Sequence, residues 1–288
     1  MLSGELLNLQ QMQATAVGAK HGEAQSLDRD RFAALGQASE AVNHEAAHRV
    51  VLGFVLERQL QSEQRPKVVH RSPAVDPRLE AAELAAFDTE TTGLDPFAAR
   101  LVGLSFCITP GCGNYVPLAH DYAGAPDQIP LDTALAILRP WLENPRCGKL
   151  GQNAKYDQHV LANHGVQVAG IVHDTLLESY VLESHQRHDM DSLAQRVLGV
   201  RTISYDDVTG TGAKRIPFSQ VAVERALEYA AEDADVTWQL HAAMYPRVAA
   251  EEKLRFIYEK LEMPVREILF RIERNGVLIE IGRASCRE

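Results

Sequence analysis

The chain predicts an α/β fold, a mixed sheet flanked by helices, on three observations. The apolar run Leu84–Phe87 ends at Asp88, as a buried strand does when it delivers an acid at its C-terminal end. Two more apolar runs, Leu101–Ile108 and Asn114–Leu118, surround the turn Pro110-Gly-Cys-Gly113 and read as a hairpin. Beyond them helical spacing dominates, with one strand-like stretch between. Strands first, then helices with an interleaved strand, give a sheet of about five strands packed by helices.

The later elements follow in order. Leu131–Leu142 has helical spacing, with Pro140 expected to break it near its end. Lys149–Gly151 is short and strand-like. Lys155–His164 is helical and stops before Gly165. Thr175–Leu182 and Leu193–Leu198 have helical spacing, and Thr202–Pro217 reads as a loop. Val221–Val248 is one or two helices, with Tyr229, Asp233, Val236 and Leu240 on one face. Upstream, residues 1–78 differ. Met1–Ala41 is rich in Gln, Ala and Glu, His48–Gln61 has the spacing of one amphipathic helix, and Gln64–Pro77 reads as a linker.

Composition narrows the function classes. At 45% hydrophobic and 24% charged, the chain can bury a sizeable core. A net charge of -10 argues against a broad basic footprint on duplex nucleic acid, though not against a narrow cleft that grips a few nucleotides through metals. Cys107, Cys112, Cys147 and Cys286 show no zinc spacing and no disulfide framework, which suits free thiols in a cytoplasmic location. Met1–Lys20 lacks the pattern of a signal peptide, and Val50–Leu56 is too short an apolar run to span a bilayer, so no membrane partner is expected.

The chemistry lies in four acids and a tyrosine. Asp88 and Glu90 stand two apart on a strand, so both leave the same face. Tyr229 and Asp233 stand four apart on a helix and share a face. Asp157 follows Tyr156 at a helix start. Each motif has a plainer reading: a capped turn at a strand end, a solvated acidic helix face, an acid favoured by a helix dipole. Together they point further. Four carboxylates cannot all ionise in one cleft unless cations neutralise them. Hard oxygen ligands suit Mg²⁺ or Mn²⁺, and a pair of such ions serves phosphodiester cleavage.

The order, wording and spacing of these motifs resemble the proofreading 3′-5′ exonuclease domain of bacterial DNA polymerase I, from about Arg78 to Leu278. The similarity includes Phe87-Asp-Thr-Glu-Thr-Thr-Gly-Leu-Asp95, Asp174-Thr-Leu-Leu-Glu-Ser-Tyr180, Arg187-His-Asp-Met-Asp-Ser-Leu193 and Tyr229-Ala-Ala-Glu-Asp-Ala-Asp235. It implies a ribonuclease H-like fold over 79–250 and the start of a polymerase thumb over 251–280. It implies that Asp88 is shared by both metals, that Glu90 and Asp233 complete the metal holding the attacking water, and that Asp157 holds the second. Tyr229 would orient the nucleophile, Leu94 would wedge between terminal bases, and Tyr205 would pack against the strand. Thr91, Gln152, Asn153 and Tyr156 would line the cleft. The implied substrate is a single-stranded or frayed DNA 3′ end.

Two stretches depart from the family. Residues 1–77 do not resemble the flap-nuclease domain that often precedes this one. Ile281–Glu288 does not continue the thumb, and the chain stops without fingers or palm, so polymerase activity is not expected. Three other readings stand beside this one. A ribonuclease D-type exoribonuclease shares the same acids, although the thumb-like tail argues for the polymerase family. A polymerase fragment that holds no substrate is the second. The third is a zinc protease, from His44-Glu-Ala-Ala-His48, which places both histidines on one helical face but lacks a third ligand in context.

Overall fold

A computed structural model describes residues 56–59 and 77–278 of the chain. The expected strands form as β2 (Leu84–Thr91), β3 (Leu101–Cys107), β4 (Cys112–Pro117) and β5 (Gly148–Gly151), with β6 (Ile171–Asp174) completing a five-stranded mixed sheet. A further strand, β1 (Leu56–Gln59), adds to one edge and gives the order β1-β4-β3-β2-β5-β6. β2 pairs antiparallel with β3, β3 with β4 and β4 with β1, whereas β5 pairs parallel to both β2 and β6.

Helices cover both faces. Phe87, Leu101, Leu104 and Phe106 pack on one side against α2 (Leu131–Leu142) and α3 (Ala154–Asn163), which follow the short α1 (Pro77–Ala81). On the other side Ala86, Val102, Cys107, Tyr115 and Leu150 meet the long helix α7 (Val223–Ala250). Covered twice, β3 is buried at every residue, which explains its unbroken apolar run. Between α3 and α7 in the chain come α4 (Thr175–Glu183), α5 (Met190–Leu193) with a π-wound continuation to Leu198, and α6 (Tyr205–Thr209); Leu193 and Ala194 pack on α7. After α7 come α8 (Glu252–Phe256), a π-wound stretch Ile257–Glu262, and α9 (Met263–Asn275).

One glycine sets the seat of α7. A Cβ on Gly113 of β4 would lie 1.9 Å from the carbonyl oxygen of Ala231. The helix backbone therefore rests directly on the strand, two residues before Asp233. The neighbouring turn is tied to the same helix, because Gly111 N–H donates to Asp235 Oδ1 at 2.6 Å.

Three expectations change and one is narrowed. Residues 56–59 are strand rather than part of an amphipathic helix, because the open edge of β4 offers unpaired backbone groups that a fourth antiparallel partner satisfies. The remainder of His48–Gln61 lies outside the described residues, as does most of the expected linker. Pro140 does not break α2: it stands two residues from the end, and Trp141 and Leu142 beyond it are held in the core. Val223–Ala250 is one helix, and the loop 202–217 contains α6, started by a capping box between Ser204 and Asp207. Among the described residues no helix is long and apolar enough to cross a membrane, and Cys107 and Cys147 are free thiols.

Candidate active site

Strand β2 divides its side chains between the two helical layers. Phe87 and Thr89 face α3, and Asp88 and Glu90 face α7. The seat of α7 on Gly113 brings Asp233 to the same point, so that carboxylate oxygens of Asp88, Glu90 and Asp233 lie within 4.8 Å of one another. Asp157 enters from the first turn of α3 and is fixed by Thr89, whose N–H and hydroxyl both donate to its Oδ1, at 3.0 and 2.6 Å. Thr89 is a site residue that the sequence reading passed over. Its signal was its place between the two acids, where strand alternation turns it to the opposite face.

Electrostatics mark the cluster as incomplete. Burial pushes all four carboxyls above the usual range, Asp88 to about 6. For Glu90, burial is reinforced by the neighbouring charges of Asp88, Asp233 and Asp157. The Thr89 N–H opposes the shift at Asp88 only in part. Oε1 of Glu90 and Oδ2 of Asp157 are buried and have no hydrogen-bond partner. None of the four acids is ion-paired with Lys or Arg among the described residues. Orphaned anionic oxygens aimed at a shared point fit divalent cations with hard oxygen ligands, so the residues present pass the test for Mg²⁺ or Mn²⁺.

Tyr229 stands one turn before Asp233 and is hydrogen-bonded to its carboxylate, and burial with that neighbouring charge drives the phenol far above its ordinary range. Its ring lies 5.8 Å from Phe218 and 6.3 Å from Tyr205, which is itself more than a third exposed. Thr91 and Tyr156 are joined by a 2.7 Å hydroxyl contact, and the Tyr156 hydroxyl donates to the carbonyl of Gly93 at 2.5 Å. This ties the loop after β2 to α3. The next residue, Leu94, is 93% exposed.

Gln152 and Asn153 behave differently. The Gln152 amide donates to the His188 carbonyl at 2.8 Å and accepts from the Thr175 hydroxyl, so both of its polar atoms are engaged by the scaffold. Asn153 caps α3 in the left-handed region at φ 60°, its N–H held by Asp174 Oδ1 at 3.0 Å, with its side chain exposed.

The sheet order, the helical cover and the acids gathered at the end of β2 define a ribonuclease H-like nuclease domain. A family model described as 3'-5' exonuclease matches residues 75–249, and the chain belongs to that family, as the exonuclease domain of DNA polymerase I. It is 51% identical over 206 residues to a DNA polymerase I of Pseudomonas aeruginosa, covering 70% of this chain and 23% of that one. A DNA polymerase I of Rhizobium leguminosarum is 40% identical over 218 residues, covering 69% of this chain and 21% of the relative. The chain thus spans less than a quarter of the length of these relatives. Among solved structures, the POL domain of Pol1 from M. smegmatis, in complex with DNA primer-template and dNTP, aligns with TM-score 0.54 at 22% identity, over 70% of this chain and 30% of that one. Trypanosoma brucei RNase D aligns with TM-score 0.51 at 17% identity, over 73% and 72% of the two chains. At these identities the structural likeness speaks for the fold.

Proposed function

We propose that this chain removes nucleotides from DNA 3′ ends with two divalent ions, and that residues 251–280 begin a polymerase thumb. The single observation that carries the chemistry is the convergence of Asp88, Glu90 and Asp233 within 4.8 Å, with Asp157 held beside them by Thr89. Asp88, Glu90 and Asp233 would hold one ion, and Asp88 with Asp157 the other. When bound, Mg²⁺ or Mn²⁺ supplies Lewis-acid polarisation of the phosphate and charge to stabilise the leaving 3′ oxygen.

The chain's own residues do the rest. Tyr229, whose hydroxyl reaches Asp233, orients the attacking water and not the metal. Leu94, exposed on a loop whose neck is fastened by Tyr156, presents an apolar edge to terminal bases. Tyr205 adds an aromatic face beside Tyr229, of the sequence-tolerant kind used for single strands. Because terminal bases must leave a duplex to enter, a single-stranded or mismatched end is the preferred substrate.

The test is digestion of end-labelled oligonucleotides. Shortening of a DNA strand from its 3′ end, dependent on Mg²⁺ and abolished by Asp233→Asn, is expected. Shortening of the matching RNA strand alone would favour the ribonuclease D-type reading, and no Mg²⁺-dependent shortening of either would refute an active nuclease.

A further inference from the structure

Further along α7, a second cluster of chemically capable groups lies apart from the acids described above. His241 of α7 meets His173 of β6 and Glu178 of α4, and Tyr258 of the 257–262 stretch closes the group. Glu178 is fully buried. Its Oε1 lies 2.6 Å from His241 Nδ1, 3.5 Å from His173 Nδ1 and 3.3 Å from the Tyr258 hydroxyl. The hydroxyl is also 3.3 Å from His173 Nδ1. Oε2 of Glu178 has no hydrogen-bond partner. Among the described residues no Lys or Arg forms an ion pair with Glu178; its basic neighbours are the two imidazoles. A carboxylate so placed is costly unless a cation shares its pocket.

We propose that His173, Glu178 and His241 bind a structural divalent cation of the zinc type, with the Tyr258 hydroxyl as fourth donor. Two imidazoles and a carboxylate are a zinc donor set. With ligands at about 2.0–2.1 Å, the edges of a tetrahedral site measure roughly 3.3–3.4 Å. The separations of 3.3, 3.3 and 3.5 Å lie at that length, the 2.6 Å contact between His241 and Glu178 must open, and the ligand atoms of His173, Glu178 and His241 all lie within 4.8 Å of one another. The Asp174 N–H donates to the Tyr258 hydroxyl at 3.0 Å, which orients this oxygen. Aromatic packing holds the imidazoles: the His173 and His241 rings lie 4.2 Å apart, and Tyr245 is 4.4 and 5.3 Å from them. The donors come from β6, α4, α7 and the 257–262 stretch. The cation would therefore clamp the helical segment after α7 to the edge of the sheet.

The full chain carries two other places where zinc can bind, so the test removes both. Asp88→Asn with Asp233→Asn dismantles the carboxylate cluster, and His44→Gln with His48→Gln removes the zinc pattern of the N-terminal sequence. This background chain is titrated with Co²⁺ and then with Zn²⁺. The expected result is one equivalent of Co²⁺ with the intense visible absorption of tetrahedral coordination, its displacement by Zn²⁺, and a Zn²⁺-dependent rise in melting temperature. His241→Gln, or His173→Gln at the half-buried position, should lose the absorption and the thermal shift while keeping the far-ultraviolet circular dichroism. Absence of the tetrahedral signal in the background chain would overturn the proposal. So would an undiminished signal in both histidine variants. Neither readout depends on nuclease activity.

Discussion

Asp233 and Asp235 stand two residues apart on α7, and both are buried, yet they differ in every respect that matters chemically. Asp235 accepts from Gly111 N–H at 2.6 Å, from Gln239 at 2.7 Å and from the Cys107 thiol, whose own pKa is pushed up to about 12 by burial and then by the charge of Asp235. Asp233 faces other carboxylates and one phenol, and its pKa is driven upward by burial and then by Asp88. The same contrast separates Asp174 from Asp157. Asp174 accepts from the N–H groups of Asn153, Ala154 and Leu176, while Asp157 leaves Oδ2 unpartnered. A buried acid whose lone pairs are answered by the chain is scaffold. One whose lone pairs are left open awaits a cation.

The strongest way to break this comparison is to exchange its terms. Asp233→Asn should lower Mg²⁺-dependent hydrolysis by at least about 10³-fold, since metal stabilisation of the transition state is several kcal/mol and ~1.4 kcal/mol is tenfold. It should also raise the melting temperature of the metal-free protein, because one repelling charge is gone. Single-turnover digestion and a thermal melt read both, and a melting temperature lowered without metal would contradict the account. Asp235→Ala should do the reverse. It should cost about 2–3 kcal/mol in denaturant unfolding, by orphaning the Gly111 and Gln239 donors, with a far smaller loss of activity at temperatures where the variant is folded. Near-wild-type stability would show that Asp235 holds nothing.

Tyr229→Phe sharpens the distinction within the cleft. On the proposed role, in which the hydroxyl positions water and does not ligate, the single-turnover rate should fall about 10- to 100-fold while the Mg²⁺ concentration at half-maximal rate stays unchanged. A parallel shift in metal dependence would make the phenol part of the ion site. The pH dependence is smaller but signed. The four cleft acids have folded pKa values raised above the unfolded ones, Asp88 from 3.8 to about 6, so the folded state retains protons that the unfolded state has lost. Metal-free stability therefore falls as pH rises from the unfolded range through 6 and above. Cations compete with those protons. The Mg²⁺-induced rise in melting temperature should be larger at about pH 8 than at about pH 5.5; an equal rise at both would refute the coupling. The smallest effect expected is a preference of several-fold for single-stranded or mismatched ends over matched duplex, reflecting an unstacking cost of a few kcal/mol that Leu94 and Tyr205, in their proposed roles, would offset in part. Equal initial rates on the three substrates would remove it.

Much of this was legible in the chain because the informative contacts are local in wording. Asp88 and Glu90 share a face by strand period, and Tyr229 and Asp233 by helix period, so each pair could be read without knowing its partner. What escaped was set by distant partners. β6 is four residues, half-exposed and ending in His173 and Asp174, and only its parallel pairing to β5 makes it a strand. Residues 56–59 are strand because of β4. Gln152 lies in the motif beside Asp157, but its amide is claimed by His188 and Thr175, a pairing that no spacing announces. Thr89 was hidden by its neighbours, since the acids on either side drew attention to the opposite face.

The seating of α7 on Gly113, which positions Asp233, has a consequence for the order of synthesis. Asp88 emerges from the ribosome early, but the helix that completes its site is seated only after β3, β4 and most of the domain have been made. Until Ala231 meets Gly113, the acids have no common point at which a cation could be trapped. A growing chain thus carries the ingredients of the site without having assembled it until α7 docks.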